Sequence, residues 1–171
     1  MSVEHIQKSV TNVIDYLTEN PNDARATSDP IVAVMEDGLR CRATGPNGRS
    51  IVTDMPQAVG GGDAAPSPGW LSNAALATCD ATRIALQAAH QGIKLDVLEV
   101  SVQATSDDRG LFAMDSTVPA GPLNVRTSVR IGAAGVSSEI LQQIVDHSVV
   151  HSPIADKCRR AIPTEVAVEI V

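Results

Sequence analysis

The stretch SPGWLSNAALATCDATRIALQAAHQG, residues 67–92, carries the longest uninterrupted helix pattern of this 171-residue chain. Ser67-Pro68 is typical of an N-cap followed by proline at the first helical position, and Gly92 is typical of a helix end. Apolar residues cover nearly the whole circumference, as in a helix that is buried on most sides. We therefore predict a long buried central helix, with Cys79 about three turns from its start.

The N-terminal segment predicts a separate amphipathic helix. Its apolar residues recur at three- and four-residue steps after Ser2, a candidate N-cap, and Asn20-Pro21 ends the pattern. A domain typically has about 100–200 residues. We therefore divide the chain into an N-terminal helical segment, residues 1–24, and one domain, residues 25–171.

The chain between the two predicted helices contains a hairpin. Residues 30–54 predict two strands joined by a turn at Asn47-Gly48, since Asn-Gly is a strong hairpin signal. Alternation along the first strand places Arg40 and Arg42 on one face and Cys41 on the other, where the thiol serves packing.

The chain after the central helix alternates strands and helices. Residues 98–104 and 123–131 have the two-residue period of strands with one wet face, and a helix follows from Ser137. Ser152-Pro153 interrupts that helix, and residues 166–170 predict a last strand. The predicted fold class is α+β, with an antiparallel sheet wrapped around the helices.

Composition excludes several classes of partner. The chain has 13 Lys and Arg against 20 Asp and Glu, a net charge of −7, and only 2% aromatic residues. Affinity for nucleic acid or for an anionic membrane needs the opposite charge, so we expect neither partner. No segment approaches about 20 apolar residues, and the charged N-terminus lacks a signal-peptide pattern. We expect a cytoplasmic protein.

Cys79 has two interpretations. Free cysteine is among the most buried residue types, which favours a structural thiol in the core. Arg83 lies one helical turn away, and Arg40 and Arg42 are further candidates to stabilise a reactive thiolate. The carboxylate of Asp80 would oppose that activation if it faced the same way.

Other candidate sites carry weaker signals. His147, His151 and Cys158 have a spacing that a zinc site uses, but a fourth ligand is not evident, and two surface histidines are the simpler interpretation. Residues 60–62 are three glycines that favour a hinge-like loop over an anion site, because a phosphate-loop lysine is missing. Trp70 is a candidate residue at the entrance of an apolar pocket. We expect no metal and no cofactor.

The order of these motifs resembles the OsmC/Ohr family, the osmotically inducible protein C and organic hydroperoxide resistance proteins. The segment Gly60-Gly61-Gly62-Asp63, then Ser67-Pro68, then an Ala-rich helix with Cys79 eleven residues after Pro68 carries the resemblance. The later strand pair, the helix, Ser152-Pro153 and the final strand follow in the same order. The resemblance covers about residues 30–171.

The resemblance implies an intertwined homodimer and a thiol-dependent peroxidase. By motif match, Cys79 is the peroxidatic cysteine that attacks a small apolar hydroperoxide and becomes a sulfenic acid. The family's activating arginine comes from the preceding hairpin, where Arg40 is the nearest candidate and Arg42 the next. Ser152 and Trp70 are the candidate pocket residues.

Two departures from the family pattern affect the activity. Ser152 stands where the peroxidases have a resolving cysteine, and Gly69 stands where they have an acidic residue that orients the arginine. We therefore expect a one-cysteine cycle with an external thiol reductant. The alternative is a non-catalytic small-molecule-binding or interaction module with Cys79 structural.

Overall fold

The computed structural model describes residues 2–171 as a mixture of helices and antiparallel strands, as predicted. The helices are α1 (Val3–Glu19), α2 (Pro68–His90), α3 (Asp108–Leu111), α4 (Ser138–Val150) and α5 (Pro153–Arg159). The strands are β1 (Val32–Asp37), β2 (Arg40–Thr44), β3 (Ser50–Thr53), β4 (Val97–Thr105) and β5 (Asn124–Gly132). Two compact units result: the hairpin unit, residues 9–75, and the thiol unit, residues 2–8 with 76–171.

Serine caps start the two long helices where the sequence predicts. The Ser2 hydroxyl accepts a hydrogen bond from the His5 amide at 3.3 Å, and the Ser67 hydroxyl accepts one from the Trp70 amide at 3.2 Å. Each cap satisfies an amide that has no partner inside the helix. The predicted N-caps of α1 and α2 are confirmed.

The hairpin unit contains three strands where the sequence analysis predicted two. Strands β1, β2 and β3 pair antiparallel in that order. The predicted first strand is broken because Gly38 adopts a left-handed φ of 55° and Asp37 pairs with Arg40. Asp-Gly is itself a hairpin signal, so this turn was readable in the sequence.

The thiol unit packs α2 and α4 against a two-stranded sheet. Strands β4 and β5 pair antiparallel from Val97 with Gly132 to Thr105 with Asn124. The centre of the core consists of Ile84, Ala88 and Ile144. Partly buried side chains surround it, namely Ile93, Leu95, Leu98, Val100, Val129, Ile131 and Val145. This packing holds the second half of α2 in place.

The predicted last strand is wrong. Residues 161–171 contain neither helix nor strand, and Val166 and Ile170 are 88% and 93% exposed. A strand exists only where its backbone pairs with a neighbour, and an alternating pattern cannot supply that neighbour. The apolar side chains at this end of the chain are therefore exposed in the single chain.

Helix α2 is less buried than its composition predicts. Only five of its 23 residues are buried, and these are Leu76, Asp80, Ile84, Ala88 and Ala89. A single stripe therefore faces the core of the single chain, instead of most of the circumference. No helix within residues 2–171 has the length and hydropathy that a membrane span requires.

Candidate functional site

Cys79 lies on α2 in contact with a buried hydroxyl. Its thiol is half-buried, and the Ser152 hydroxyl donates a hydrogen bond to Sγ at 3.3 Å. Ser152 has no exposed surface, and its Oγ accepts from the Ala155 amide as the N-cap of α5. The start of α5 therefore fixes the hydroxyl beside the sulfur.

A second buried serine joins the same helices one turn away. Ser148 on α4 is fully buried, and its hydroxyl donates to the backbone carbonyl of Arg83 at 3.3 Å. Ser148 and Ser152 are four residues apart, as are Cys79 and Arg83, and the contacts run in opposite chain directions. This end of α4 therefore runs antiparallel to α2.

Asp80 and Arg83, one and four residues after Cys79 on α2, carry unsatisfied polar groups. Asp80 is 1% exposed, and within residues 2–171 neither of its carboxylate oxygens has a hydrogen-bond partner. The buried Nε of Arg83 also lacks an acceptor in that part of the chain. Such orphans are uncommon, because buried polar groups are nearly always paired.

We call these five residues the thiol cluster: Cys79, Asp80, Arg83, Ser148 and Ser152. A hydroxyl that donates to sulfur stabilises a thiolate, and a guanidinium nearby acts in the same direction. The cluster therefore combines a cysteine, a hydroxyl that donates to its sulfur and an arginine on the next turn of α2. Asp80, the group that the sequence analysis expected to oppose activation, is buried one residue from the sulfur.

The other two candidate arginines lie in the hairpin unit and have a carboxylate partner there. Arg40 Nε is 3.3 Å from a Glu36 oxygen, and Arg42 Nε donates a hydrogen bond to the other oxygen. Mainly through the Arg42 hydrogen bond, these contacts hold the pKa of Glu36 below its ordinary value. Both arginines thus share one face of the sheet, as alternation predicts.

The glycine-rich loop before α2 is organised by one buried carboxylate. Asp54 is 3% exposed, and its oxygens accept from the amides of Met55 at 2.7 Å, Gly62 at 3.3 Å and Ala64 at 3.1 Å. These bonds, with Ala64 contributing most, lower the pKa of Asp54. The amides do cradle an anion, but that anion is the chain's own side chain. The hinge-like behaviour expected of residues 60–62 stays a prediction.

Trp70 lies beside this loop, at the start of α2. It is 58% exposed and lines a cavity of about 520 Å³ within the hairpin unit. The other lining residues are Asp54, Pro56, Asp63, Ala64, Ala65, Pro66 and Ser67. A role for Trp70 at a substrate pocket stays a prediction.

The histidine pair lies at the end of α4, and the two other thiols lie on α5 and β2. His147 and His151 stack with ring centroids 4.3 Å apart, and His151 Nδ1 lies 2.7 Å from the His147 carbonyl oxygen. Cys158 is exposed on α5, and Cys41 is half-buried on β2. No group of three or more His, Cys, Asp or Glu residues in the described part of the chain is arranged to hold a metal ion.

Two polar residues that organise these sites, Ser148 and Asp54, were not predicted from the sequence, and neither was the burial of Asp80. Ser148 had a readable signal, since it lies one helical turn before Ser152 on a mostly apolar face. Asp54 had one too, since an acid before consecutive glycines can accept their amides. The burial of Asp80 had none, because a single polar residue in an apolar helix indicates neither face nor partner.

The fold and the thiol cluster together define a class, that of α+β proteins with antiparallel sheets and a cysteine on a long helix. The model of the family described as OsmC-like protein matches residues 60–167. The chain therefore belongs to the OsmC-like protein family. A search of curated proteins finds no match.

Solved structures of low sequence identity have the same fold. An OsmC-like protein from Mycoplasma pneumoniae is 16% identical with a TM-score of 0.65, over 79% of this chain and 89% of that one. An OsmC-like protein of unknown function from Vibrio cholerae is 15% identical with a TM-score of 0.62, over 85% and 100%. An organic hydroperoxide resistance protein from Legionella pneumophila is 17% identical with a TM-score of 0.56, over 78% and 92%.

Proposed function

We propose that this protein reduces organic hydroperoxides through Cys79, with an external thiol as the reductant. The observation that carries the proposal is the hydrogen bond from the buried Ser152 hydroxyl to Cys79 Sγ. Family membership and the similarity to a structure named as an organic hydroperoxide resistance protein support it. The cytoplasm, where small thiols are kept reduced, is the compartment that suits this cycle.

The first step is attack by the Cys79 thiolate on the terminal oxygen of the hydroperoxide. A sulfur–oxygen bond forms, the oxygen–oxygen bond breaks, and the alkoxide takes up a proton and leaves as an alcohol. Sulfur is oxidised to a sulfenic acid, and the hydroperoxide is reduced. In this proposal, Ser152 stabilises the thiolate and then hydrogen-bonds to the sulfenic acid.

The second step needs two molecules of external thiol. The first condenses with the sulfenic acid to form a mixed disulfide and water, and the second releases the Cys79 thiol together with a disulfide. Serine at position 152 cannot take the place of the first thiol. Without a reductant, the sulfenic acid is exposed to over-oxidation.

We further propose that the working form is a homodimer. Helix α2 buries only one stripe within the single chain, and apolar side chains of the hairpin unit and of the C-terminal segment are exposed. They include Ile31, Val32, Val34, Met35, Val166, Val168 and Ile170. Exposed apolar patches of this kind mark interaction surfaces. Analytical ultracentrifugation tests the dimer, and a folded monomer at micromolar concentration would contradict it.

Mass spectrometry after one equivalent of cumene hydroperoxide tests the chemistry. We expect one added oxygen on the Cys79 peptide, its removal by an external thiol, and full loss of hydroperoxide consumption in Cys79→Ser. Cys158→Ser is the matched control and should behave like the unmodified protein. A Cys79–Cys158 disulfide in good yield would refute the one-cysteine cycle, and an unmodified Cys79 would refute the peroxidase.

A non-catalytic binding module is the second candidate. The pairing of Arg40 and Arg42 with Glu36 favours it, because two of the three candidate activators already have a carboxylate partner. Alkylation separates the two functions. A Cys79 that is labelled below pH 7 only after unfolding is a structural thiol, whereas labelling in the native protein supports the peroxidase.

A further inference from the structure

The turn that carries Ser152 is only two residues long. Helix α4 ends at Val150, and α5 begins at Pro153. Proline has no amide hydrogen to continue a helical ladder, so α4 cannot run on into α5. The conformation of residues 151–152 therefore decides where the Ser152 hydroxyl lies relative to Cys79 Sγ, which it contacts at 3.3 Å.

Arg159, in the last turn of α5, binds back to the end of α4. Its Nη2 donates to the carbonyl oxygen of Val150 at 2.9 Å, and its Nη1 donates to that of Val149 at 3.3 Å. The last carbonyls of a helix have no partner within the helix, and a cation is favourable at that end. The carbonyls of the two preceding residues already accept the His151 amide. Arg159 therefore adds donors from α5 to the end of α4.

The first turn of α5 holds Ser152 by two backbone amides. The Ala155 amide donates to the Ser152 hydroxyl at 3.4 Å, and the Asp156 amide donates to the Ser152 carbonyl oxygen at 2.8 Å. Helix α5 has only seven residues, and so short a helix is marginal in water without tertiary contacts. Its polar contact with α4 through Arg159 therefore supports the turn that orients the Ser152 hydroxyl.

The neighbouring arginine has a different partner. Arg160 binds the carboxylate of Asp156 on α5 itself, through Nε and Nη2. Both arginines are exposed and carry the same charge. Arg159 thus joins two helices, whereas Arg160 pairs within one, which makes Arg160 a matched control for Arg159.

We propose that Arg159 is a positioning residue for the thiol. By joining the ends of α4 and α5, it holds the Ser152 hydroxyl in contact with Cys79 Sγ. Its part in catalysis rests on the proposed function, whereas the positioning itself involves no peroxide chemistry. Arg159 acts through Ser152 and not on the sulfur directly.

A thiol–disulfide equilibrium measures this positioning. The test protein carries Ser152→Cys together with Cys158→Ser, so that α5 has no competing thiol. In a glutathione buffer the introduced thiol and Cys79 form one disulfide, while glutathione disulfide is reduced to two glutathione molecules. We expect Arg159→Gln to lower the equilibrium constant of this exchange about threefold to fivefold, and Arg160→Gln to leave it unchanged.

A merely structural role for Arg159 would not change this constant, because a loss of stability that is equal in the oxidised and reduced forms cancels. An unchanged constant in a folded Arg159→Gln protein overturns the inference, and so does an equal fall in Arg160→Gln. If Arg159→Gln does not fold, Arg159→Lys decides. Lysine keeps the cation but loses the planar fork, so the constant should fall about twofold, and no fall overturns the inference.

Alkylation of Cys79 shows whether Arg159 acts through Ser152. At about pH 7, Arg159→Gln should slow iodoacetamide labelling of the Cys79 peptide about twofold to threefold, and it should have no effect when combined with Ser152→Ala. Slowing of the same size in both backgrounds contradicts the inference. Because neither measurement uses a hydroperoxide, an inert Cys79 in the peroxide assay refutes the proposed function alone. An unchanged exchange constant beside normal sulfenic acid formation refutes the inference alone.

Discussion

Two buried carboxylates in this protein have opposite surroundings. Asp54 in the hairpin unit receives three backbone hydrogen bonds, and its loop closes around it. Asp80 in the thiol unit is at least as buried and receives no hydrogen bond from the described chain. A buried charge costs free energy unless it is paired. The first carboxylate therefore stabilises its region, and the second, one residue after Cys79, costs stability.

The two carboxylates therefore differ in role. Asp54 holds a loop together, whereas Asp80 has no hydrogen-bond partner in the described chain. Unsatisfied polar groups persist where binding or chemistry needs them. The loop around Asp54 should therefore tolerate almost no change, whereas the thiol cluster should accept changes that keep its shape and alter its chemistry.

The largest expected effect comes from Ser152→Cys. Because Ser152 Oγ lies 3.3 Å from Cys79 Sγ, a thiol at this position needs only about 1 Å of movement to form a disulfide of about 2 Å. We expect hydroperoxide to convert nearly all of this variant to an internal disulfide and to suppress over-oxidation of Cys79. Non-reducing mass spectrometry would detect the loss of two hydrogens.

Ser148→Cys is the control for that disulfide. Ser148 is equally buried but bonds to a backbone carbonyl, one helical turn from Ser152. We expect no disulfide with Cys79 from this position. Equal cross-linking from both positions would mean that α4 slides along α2 and that the observed contact is not specific.

The next effect concerns the loop around Asp54. A Cβ on Gly61 would lie 1.9 Å from the Met55 carbonyl oxygen, which is backbone and cannot turn away. We expect Gly61→Ala to lower the free energy of unfolding by about 2–4 kcal/mol in urea titrations. Gly69→Ala is the control, since its Cβ would have only one neighbour, at 3.9 Å, and stability should stay equal or rise. Equal losses in both would mean that the close approach at Gly61 is not the cause.

Paired asparagine variants test the two carboxylates directly. Asp54→Asn removes the charge that three amides bind, so we expect clear destabilisation and faster proteolysis of the loop. Asp80→Asn removes an unpaired buried charge, so stability should hold or increase by about 1 kcal/mol. Urea unfolding of both proteins provides the measurement. Destabilisation by Asp80→Asn as large as that by Asp54→Asn would show that Asp80 has a structural partner.

The free energy of unfolding at acidic pH provides a further test of the same comparison. Hydrogen bonds hold the pKa of folded Asp54 below its ordinary value of 3.8. Its contribution is therefore fully present above the unfolded pKa and is lost as the pH falls through the folded pKa. The stability difference between the unmodified protein and Asp54→Asn should be constant near neutrality and shrink below about pH 4. A difference that grows in acid would reverse the assigned direction.

Local signals predicted more of the fold than of the site. Helix α2 was readable because its cap, its proline and its apolar residues are all close in sequence. The Asp37-Gly38 turn was local as well and was overlooked in favour of one long strand. The predicted final strand failed because pairing depends on a distant neighbour, which residues 166–170 do not indicate.

The thiol cluster could be predicted only in part for the same reason. The bond between Ser152 and Cys79 joins residues 73 positions apart, and the bond between Ser148 and Arg83 joins residues 65 positions apart. Family resemblance placed Ser152 near Cys79, whereas only the spacing of one helical turn before Ser152 pointed to Ser148. The unpaired state of Asp80 is a property of packing, which no local pattern encodes.

The smallest expected effect distinguishes the two buried serines. Ser148→Ala removes one hydrogen bond to a backbone carbonyl, so we expect a loss of about 1 kcal/mol in stability and an unchanged rate of Cys79 alkylation. Ser152→Ala loses a similar hydrogen bond and the N-cap of α5, and it also removes the donor to sulfur. Its alkylation rate at neutral pH should therefore fall about threefold to tenfold, because the thiolate loses a hydrogen bond. Iodoacetamide kinetics at about pH 7 should show slower labelling of Cys79 in Ser152→Ala and the rate of the unmodified protein in Ser148→Ala. Equal slowing in both variants would mean that packing between α2 and α4, and not the hydroxyl at Ser152, sets the alkylation rate of Cys79.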